Sequence, residues 1–244
     1  MFSYTLGTFL IFARNLTTAM ARRKKKEDET LVDIVEVRDS AKTFFEKNQN
    51  LILGVLVGII LIIGGYVLYD NLYKAPKEKE AAQQMFQAQF QFEQDSFAAA
   101  LTNPGGGYDG FLDIIDNYSG TNAGNLAHYY SGVSYLNLGQ FDDALDHIND
   151  FKAAGEVMPI MKAGVKGDIF SEQGDYDKAI SQYKKAASYE NDFLAPFYMQ
   201  KLALLQERQG LTQDALDQFK RIKREYPESQ AAKEVEKYIA KLES

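Results

Sequence analysis

Residues 51–69 read Leu-Ile-Leu-Gly-Val-Leu-Val-Gly-Ile-Ile-Leu-Ile-Ile-Gly-Gly-Tyr-Val-Leu-Tyr, 19 residues without a charge. As a helix this run is roughly 28 Å long, close to a bilayer core of about 30 Å. It is apolar all round, so no face of it suits water. A buried core helix of this length would normally carry a polar flank, and the run therefore predicts a single transmembrane helix. Residues 1–69 hold 9 of the 27 Lys and Arg and 7 of the 34 Asp and Glu. That leaves 18 and 27 for residues 70–244, so the short leading part is +2 and the long trailing part −9.

Those totals exclude several chemistries. There is no cysteine, which removes disulfides, thiolate zinc sites, a cysteine nucleophile and a lipoprotein anchor. The acidic trailing part argues against nucleic acid, which rewards clustered Lys and Arg. No nucleophile elbow, phosphate loop or metal-ligand spacing is present, so no enzyme, cofactor or metal is expected. The two histidines, His128 and His147, read as structural or solvated residues on successive helices.

Residues 1–29 read as a basic cytoplasmic tail. Its first 13 residues are apolar but too short to span. The charges Arg14 and Arg22–Lys26 follow them, which is the reverse of a signal peptide. Met20 is an alternative start; a surface-lying or disordered tail is the other reading. Arg22, Arg23, Lys24, Lys25 and Lys26 suit anionic membrane lipids, or act only as a topology determinant. Residues 30–50 predict an amphipathic juxtamembrane helix. Thr30 caps it with Asp33, and Leu31, Ile34, Val35, Ala41, Phe44 and Phe45 fall roughly on one side. Phe44 and Phe45 are its candidate contact residues, on lipid or on a partner, and Asn48-Gln49-Asn50 is expected to turn the chain into the membrane. Basic residues near the span are balanced, but the whole leading segment carries nine and long domains translocate regardless of charge. This places the N-terminus in the cytoplasm and the trailing domain across the membrane. Within the span, Gly54, Gly58 and Gly65 lie within about 40° of one another and form a candidate helix-packing face.

Residues 70–79 read as a linker and 80–101 as one long helix, ended by Asn103-Pro104-Gly105-Gly106-Gly107. The chain then becomes periodic. Gly139-Gln-Phe-Asp-Asp-Ala144, Gly174-Asp-Tyr-Asp-Lys-Ala179 and Gly210-Leu-Thr-Gln-Asp-Ala215 align, with glycines 35 and 36 residues apart. Gly132, Gly167 and Ala203 stand seven residues before them, and Ile148, Tyr183 and Phe219 four after each alanine. The pattern resembles the tetratricopeptide repeat, a helix–turn–helix unit of about 34 residues whose small residues mark helix crossings. A degenerate copy precedes, with Tyr108, Phe111, Ile115 and Tyr118 on its second helix. Residues 229–243 read as a closing helix on which Ala231, Val235, Tyr238, Ile239 and Leu242 cover the last repeat. The fold class is all-α: one span, then a tetratricopeptide-repeat (TPR) solenoid of three to four helix pairs over residues 80–244, with a C-terminal capping helix.

In such an array the first helix of each pair lines the concave face. The inward positions are then Tyr129, Val133 and Leu136, followed by Asp168 and Ser171, and by Gln200, Leu204, Glu207 and Arg208. They mix polar and apolar groups, as a modest protein interface would. They lack the Lys, Arg and Asn density of a carboxylate clamp. The outer flank and the helix at 80–101 are the alternative surfaces.

The stretch Val37-Arg-Asp-Ser-Ala-Lys-Thr-Phe-Phe-Glu-Lys-Asn, followed by a glycine-rich span with Tyr66 and Tyr69, is similar to the YfgM-like family. These are ancillary subunits of the bacterial Sec translocon. The resemblance implies a single-pass protein of the bacterial inner membrane with a periplasmic repeat domain. The partners it implies are Sec translocon subunits and a membrane-anchored periplasmic chaperone or isomerase. The expected role is an adaptor or chaperone for exported proteins, and the alternative is a scaffold of another envelope assembly, such as a secretion or division machine.

Overall fold

The computed structural model describes residue 38 and residues 40–244. The basic cluster Arg22–Lys26, the cap at Thr30 and Asp33, and Leu31, Ile34 and Val35 lie outside the described residues. The chain divides into two units between Tyr69 and Asp70.

In the first unit, residues 40–69 are one helix, α1. The turn expected at Asn48-Gln49-Asn50 is absent. Asn48 instead donates its side-chain amide to the Phe44 carbonyl, 2.9 Å away, which keeps the residue inside the helical ladder. The Phe44 and Phe45 rings are both exposed and meet edge to face at 6.3 Å. The helical run Ser40–Glu93 is long and apolar enough to cross a membrane, and its 18-residue window of mean hydropathy 2.8 has no buried residue.

The second unit opens where a linker was expected, yet residues 70–79 are helical. Asp70–Lys74 is a π-helical turn leading into α2 (Ala75–Glu93). Pro76 supplies the reason: its ring crowds the carbonyl four residues back, at Leu72, and it has no N–H to donate. The helix expected over 80–101 is also broken. Residues 94–96 interrupt it, Asp95 takes a left-handed φ of 56°, and α3 (Phe97–Thr102) follows. An unbroken helix would set Phe92 and Phe97 about 140° apart. The bend brings their rings to 5.4 Å and lets Phe92 also meet Phe111 and Tyr130.

Next come α4 (Phe111–Asn117), α5 (Asn122–Asn137), α6 (Phe141–Asp150), α7 (Met158–Glu172), α8 (Tyr176–Ala187), α9 (Leu194–Arg208), α10 (Thr212–Glu225) and α11 (Gln230–Glu243). No strand occurs among the described residues. The helices α5/α6, α7/α8 and α9/α10 are the three pairs of a TPR α-solenoid, and α11 caps it. In the degenerate copy, Tyr108 lies outside α4 and is exposed, and Ile114 rather than Ile115 is fully buried with Phe111. The helix begins at Phe111, so the inward stripe runs Phe111–Ile114–Tyr118 at helical spacing.

The aligned glycines end the first helix of each pair. Their φ angles are 74°, 78° and 75°, and the next residue's N–H reaches back five positions each time: Gln140 to Tyr135, Asp175 to Phe170 and Leu211 to Gln206. Only glycine adopts this C-terminal conformation without a Cβ penalty. At the crossings, Ala144, Ala179, Ala203 and Ala215 have no exposed surface. A Cβ on Gly132 would stand 2.5 Å from the Ile148 side chain, and one on Gly167 would stand 2.6 Å from the Tyr183 ring. Ahead of the pairs, Glu78 of α2 accepts from the N–H groups of Asn122 and Ala123, placing a carboxylate on the N-terminus of α5.

Candidate functional site

The first helices of the pairs form one layer. α5 packs on α7 and α9 packs on α11. Between α7 and α9 the approach is close enough that a Cβ on Gly164 would stand 2.1 Å from the Tyr198 ring. On this layer lie all nine positions expected to be inward, and none is fully buried.

Internal packing uses most of them. Val133 and Leu136 pack on the cluster of Ala144, Ile148, Val165 and Ile169. Tyr129 sits against Phe151 at 5.4 Å, and burial, with Tyr130 and Asp168 adding to it, pushes its phenol up to about 12. Asp168 accepts from the Tyr183 hydroxyl and from the Lys201 ammonium, both at 2.5 Å, which ties α7, α8 and α9 together. Burial first, and then Asp168, raises the Tyr183 phenol far above its ordinary value. Lys201 also stands over the rings of Tyr183 and Phe197. Ser171 is half-buried on α7, and Leu204 packs on the main core.

In the third pair the capping helix has taken up two of the expected positions. Gln200 donates to Glu234 at 3.1 Å, and Glu207 receives Lys241 at 2.6 Å. Glu234 and Lys241 thus reach from α11 back to α9. Hydrogen bonds from Gln230 and Gln200 hold the Glu234 carboxyl below the usual carboxylate range. Arg208 lies over the Tyr176 ring at 5.9 Å.

At the start of α9 a groove of about 780 Å³ opens between that helix, the α10–α11 turn and α11. Phe193, 81% exposed, and Phe197, 46% exposed, form its apolar wall with Pro196, Tyr226, Pro227 and Ala231. Its rim carries Asp192, Glu225, Glu228 and Glu234. Gln200 is the one expected position that lines it. Sequence reasoning missed the aromatics, although Phe193 directly after Asn191-Asp192 was a visible signal. The Asn191 side chain accepts from the Phe193 and Leu194 N–H groups, so a cap at the start of α9 fixes the Phe193 backbone.

The histidines meet where the helices of the first pair cross. His128 and His147 face each other through their Nδ1 atoms at 3.3 Å, and Tyr135 stacks on His147. Burial lowers both imidazoles, and the pairing lowers His147 further. Among the described residues, no group of three or more His, Asp or Glu side chains is placed to hold a metal ion. On α1 a Cβ at Gly54, Gly58 or Gly65 would meet nothing within 4 Å.

A family model described as tetratricopeptide repeat matches residues 165–230, from within α7 to the first turn of α11. None of the curated proteins matches the chain. The matched stretch holds the second pair from Val165 onward, the whole third pair, both glycines of the positive-φ turns between their helices, and the α9 side of the groove.

Proposed function

We propose that this protein is a membrane-anchored interaction subunit whose repeat domain holds a partner polypeptide. A TPR solenoid is an interaction scaffold and a tetratricopeptide-repeat module implies protein partners. The observation that carries the reading is the groove between α9 and α11, whose wall carries two exposed phenylalanines, Phe193 and Phe197. Large exposed aromatics in a concave setting are what protein anchors pack against. The span over residues 51–69 tethers the domain to the membrane, with the glycine face of Gly54, Gly58 and Gly65 free to meet another helix.

The finer assignment rests on the resemblance around Phe44-Phe45-Glu46 and on the layout of tail, span and repeats. In it the protein sits in the bacterial inner membrane with its N-terminus in the cytoplasm and its repeats in the periplasm. It accompanies the Sec translocon and a membrane-anchored chaperone or isomerase, and serves emerging proteins as an adaptor. No catalysis of its own is assigned to it. The test places a photo-crosslinking phenylalanine analogue at position 193 of the full chain in native membranes. Adducts to translocon subunits or to exporting chains support the assignment. Adducts only to components of a secretion or division machine replace it with the scaffold reading, and no polypeptide adduct refutes a partner in the groove.

A further inference from the structure

A second concavity lies on another edge of the solenoid, away from the groove. The segment after α6 meets α7 and α8 around a cavity of about 420 Å³. Four lysines line it from three elements: Lys152 from the segment, Lys162 and Lys166 from α7, and Lys185 from α8. No carboxylate lines it, and among the described residues none of the four is in an ion pair. In a chain of net charge −7 this is a local reversal of sign.

Two of the lysines are held in place. Lys162 donates to the carbonyls of Asn149 and Phe151, and Lys166 donates to the Asn149 side chain at 2.9 Å. These contacts cap the C-terminus of α6, which is a structural role, but they do not discharge the cavity. The end of a helix offers about −0.5 of a charge. Asp150, at that same end, adds one more. Together they answer fewer than two of the four positive charges. Burial, then the neighbouring lysines, keep Lys162 and Lys166 below the usual lysine range, and Asp150 opposes this only in part, at Lys162.

We propose that this cavity is a binding site for a phosphate group. A carboxylate brings one charge on two coplanar oxygens. A phosphate brings more charge on oxygens spread tetrahedrally, which suits ammonium groups arriving from three directions. The cavity is larger than one phosphate requires, so it admits a phosphate ester. Asn149, Gln182 and Tyr189 on its wall add neutral hydrogen-bonding groups. The phosphate comes either from a soluble metabolite or from an anionic lipid headgroup, and the chemistry of recognition is the same for both.

Calorimetric titration of the full chain in a neutral detergent tests this, with inorganic pyrophosphate in one arm and glycerophosphoglycerol in the other. Saturable binding is expected in at least one arm, and the tighter arm names the source. Lys152→Gln and Lys185→Gln remove charges that make no internal hydrogen bond, so both variants keep the fold. Each is expected to weaken binding about tenfold, the loss of one charge-assisted bond. Lys184→Gln, just outside the cavity, leaves affinity unchanged. The proposal is overturned by no saturable binding in either arm. It is equally overturned by binding that ignores Lys152→Gln and Lys185→Gln, or by a glutamate-rich peptide outcompeting both phosphates. None of these results bears on the groove between α9 and α11.

Discussion

Gly164→Ala is the sharpest test of how the inner layer is built. The added Cβ would stand 2.1–2.2 Å from three atoms at the tip of the Tyr198 ring. Carbon contacts settle at about 3.6 Å, so the ring would have to retreat by about 1.5 Å. It has little room, because Tyr198 is 3% exposed, its hydroxyl lies 3.7 Å from the Met161 sulfur, and Phe197 and Tyr183 flank it at 5.0 and 6.5 Å. Overpacking of this kind costs roughly 1–3 kcal/mol. With three atoms in conflict the upper end applies, and alanine's helix propensity returns about 1 kcal/mol. The net loss is about 2 kcal/mol. For a unit of 175 residues that is a fall in Tm of about 4–8 °C. Thermal melts of the full chain in detergent, followed at 222 nm, read it directly. A second variant isolates the cause: with Tyr198→Leu in the background, Gly164→Ala should cost much less, and the double-mutant cycle should show coupling above about 0.5 kcal/mol. An unchanged or raised Tm for Gly164→Ala, or additive effects in the cycle, would show that α7 and α9 do not meet at this point.

Ala144→Leu and Ala179→Leu should each lower stability by roughly 1–3 kcal/mol or more, since both alanines are fully buried at a crossing, and denaturant midpoints would show it. Lys201→Met should cost about 1–2 kcal/mol, below the figure for a fully buried pair because Lys201 and Asp168 remain 35% and 26% exposed; restoration of the loss by adding Asp168→Asn would mark the ion pair as the source. The histidine pair predicts a pH effect. Burial, and for His147 also the pairing, depresses both imidazoles, so the unfolded chain binds protons first as pH falls. Their contribution is intact above the ordinary histidine value of about 6.5 and is lost as pH falls below it. Melting temperature against pH for His147→Gln should therefore be flatter than the parent below pH about 6.5, and a parallel curve would contradict the buried pair.

Much of the fold could be read before any coordinates, and the reasons are local. A charge-free run of span length admits few structures. The glycine–alanine spacing places left-handed helix ends and close crossings at fixed intervals, and Gly139, Gly174, Gly210, Ala144, Ala179 and Ala215 all do what that spacing requires. The errors fell where a local signal was outweighed. Nothing in Gln94-Asp95-Ser96 announces a break; the aromatic contacts of Phe92 across three other elements decide it. Asn48-Gln49-Asn50 looked like a turn, but in α1 the Asn48 amide is satisfied four residues back.

By itself, then, the sequence determined a helix long and apolar enough to cross a membrane, the period of the repeats and the residues at their crossings, because each depends on neighbours within a few turns of helix. Only the tertiary structure decided which of the positions expected to face inward remain free. Gln200 and Glu207 stand at inward register positions, but α11 returns to pair with them, and Asp168 is taken by Lys201 from the next pair. The same holds for the groove behind Phe193 and for the four lysines around the end of α6: their members are separated by up to 42 and 33 residues. How far one helix pair is rotated on the next sets those distances, and that rotation comes from the summed packing of Tyr183, Tyr198, Met199 and Phe219, which no single stretch of chain encodes.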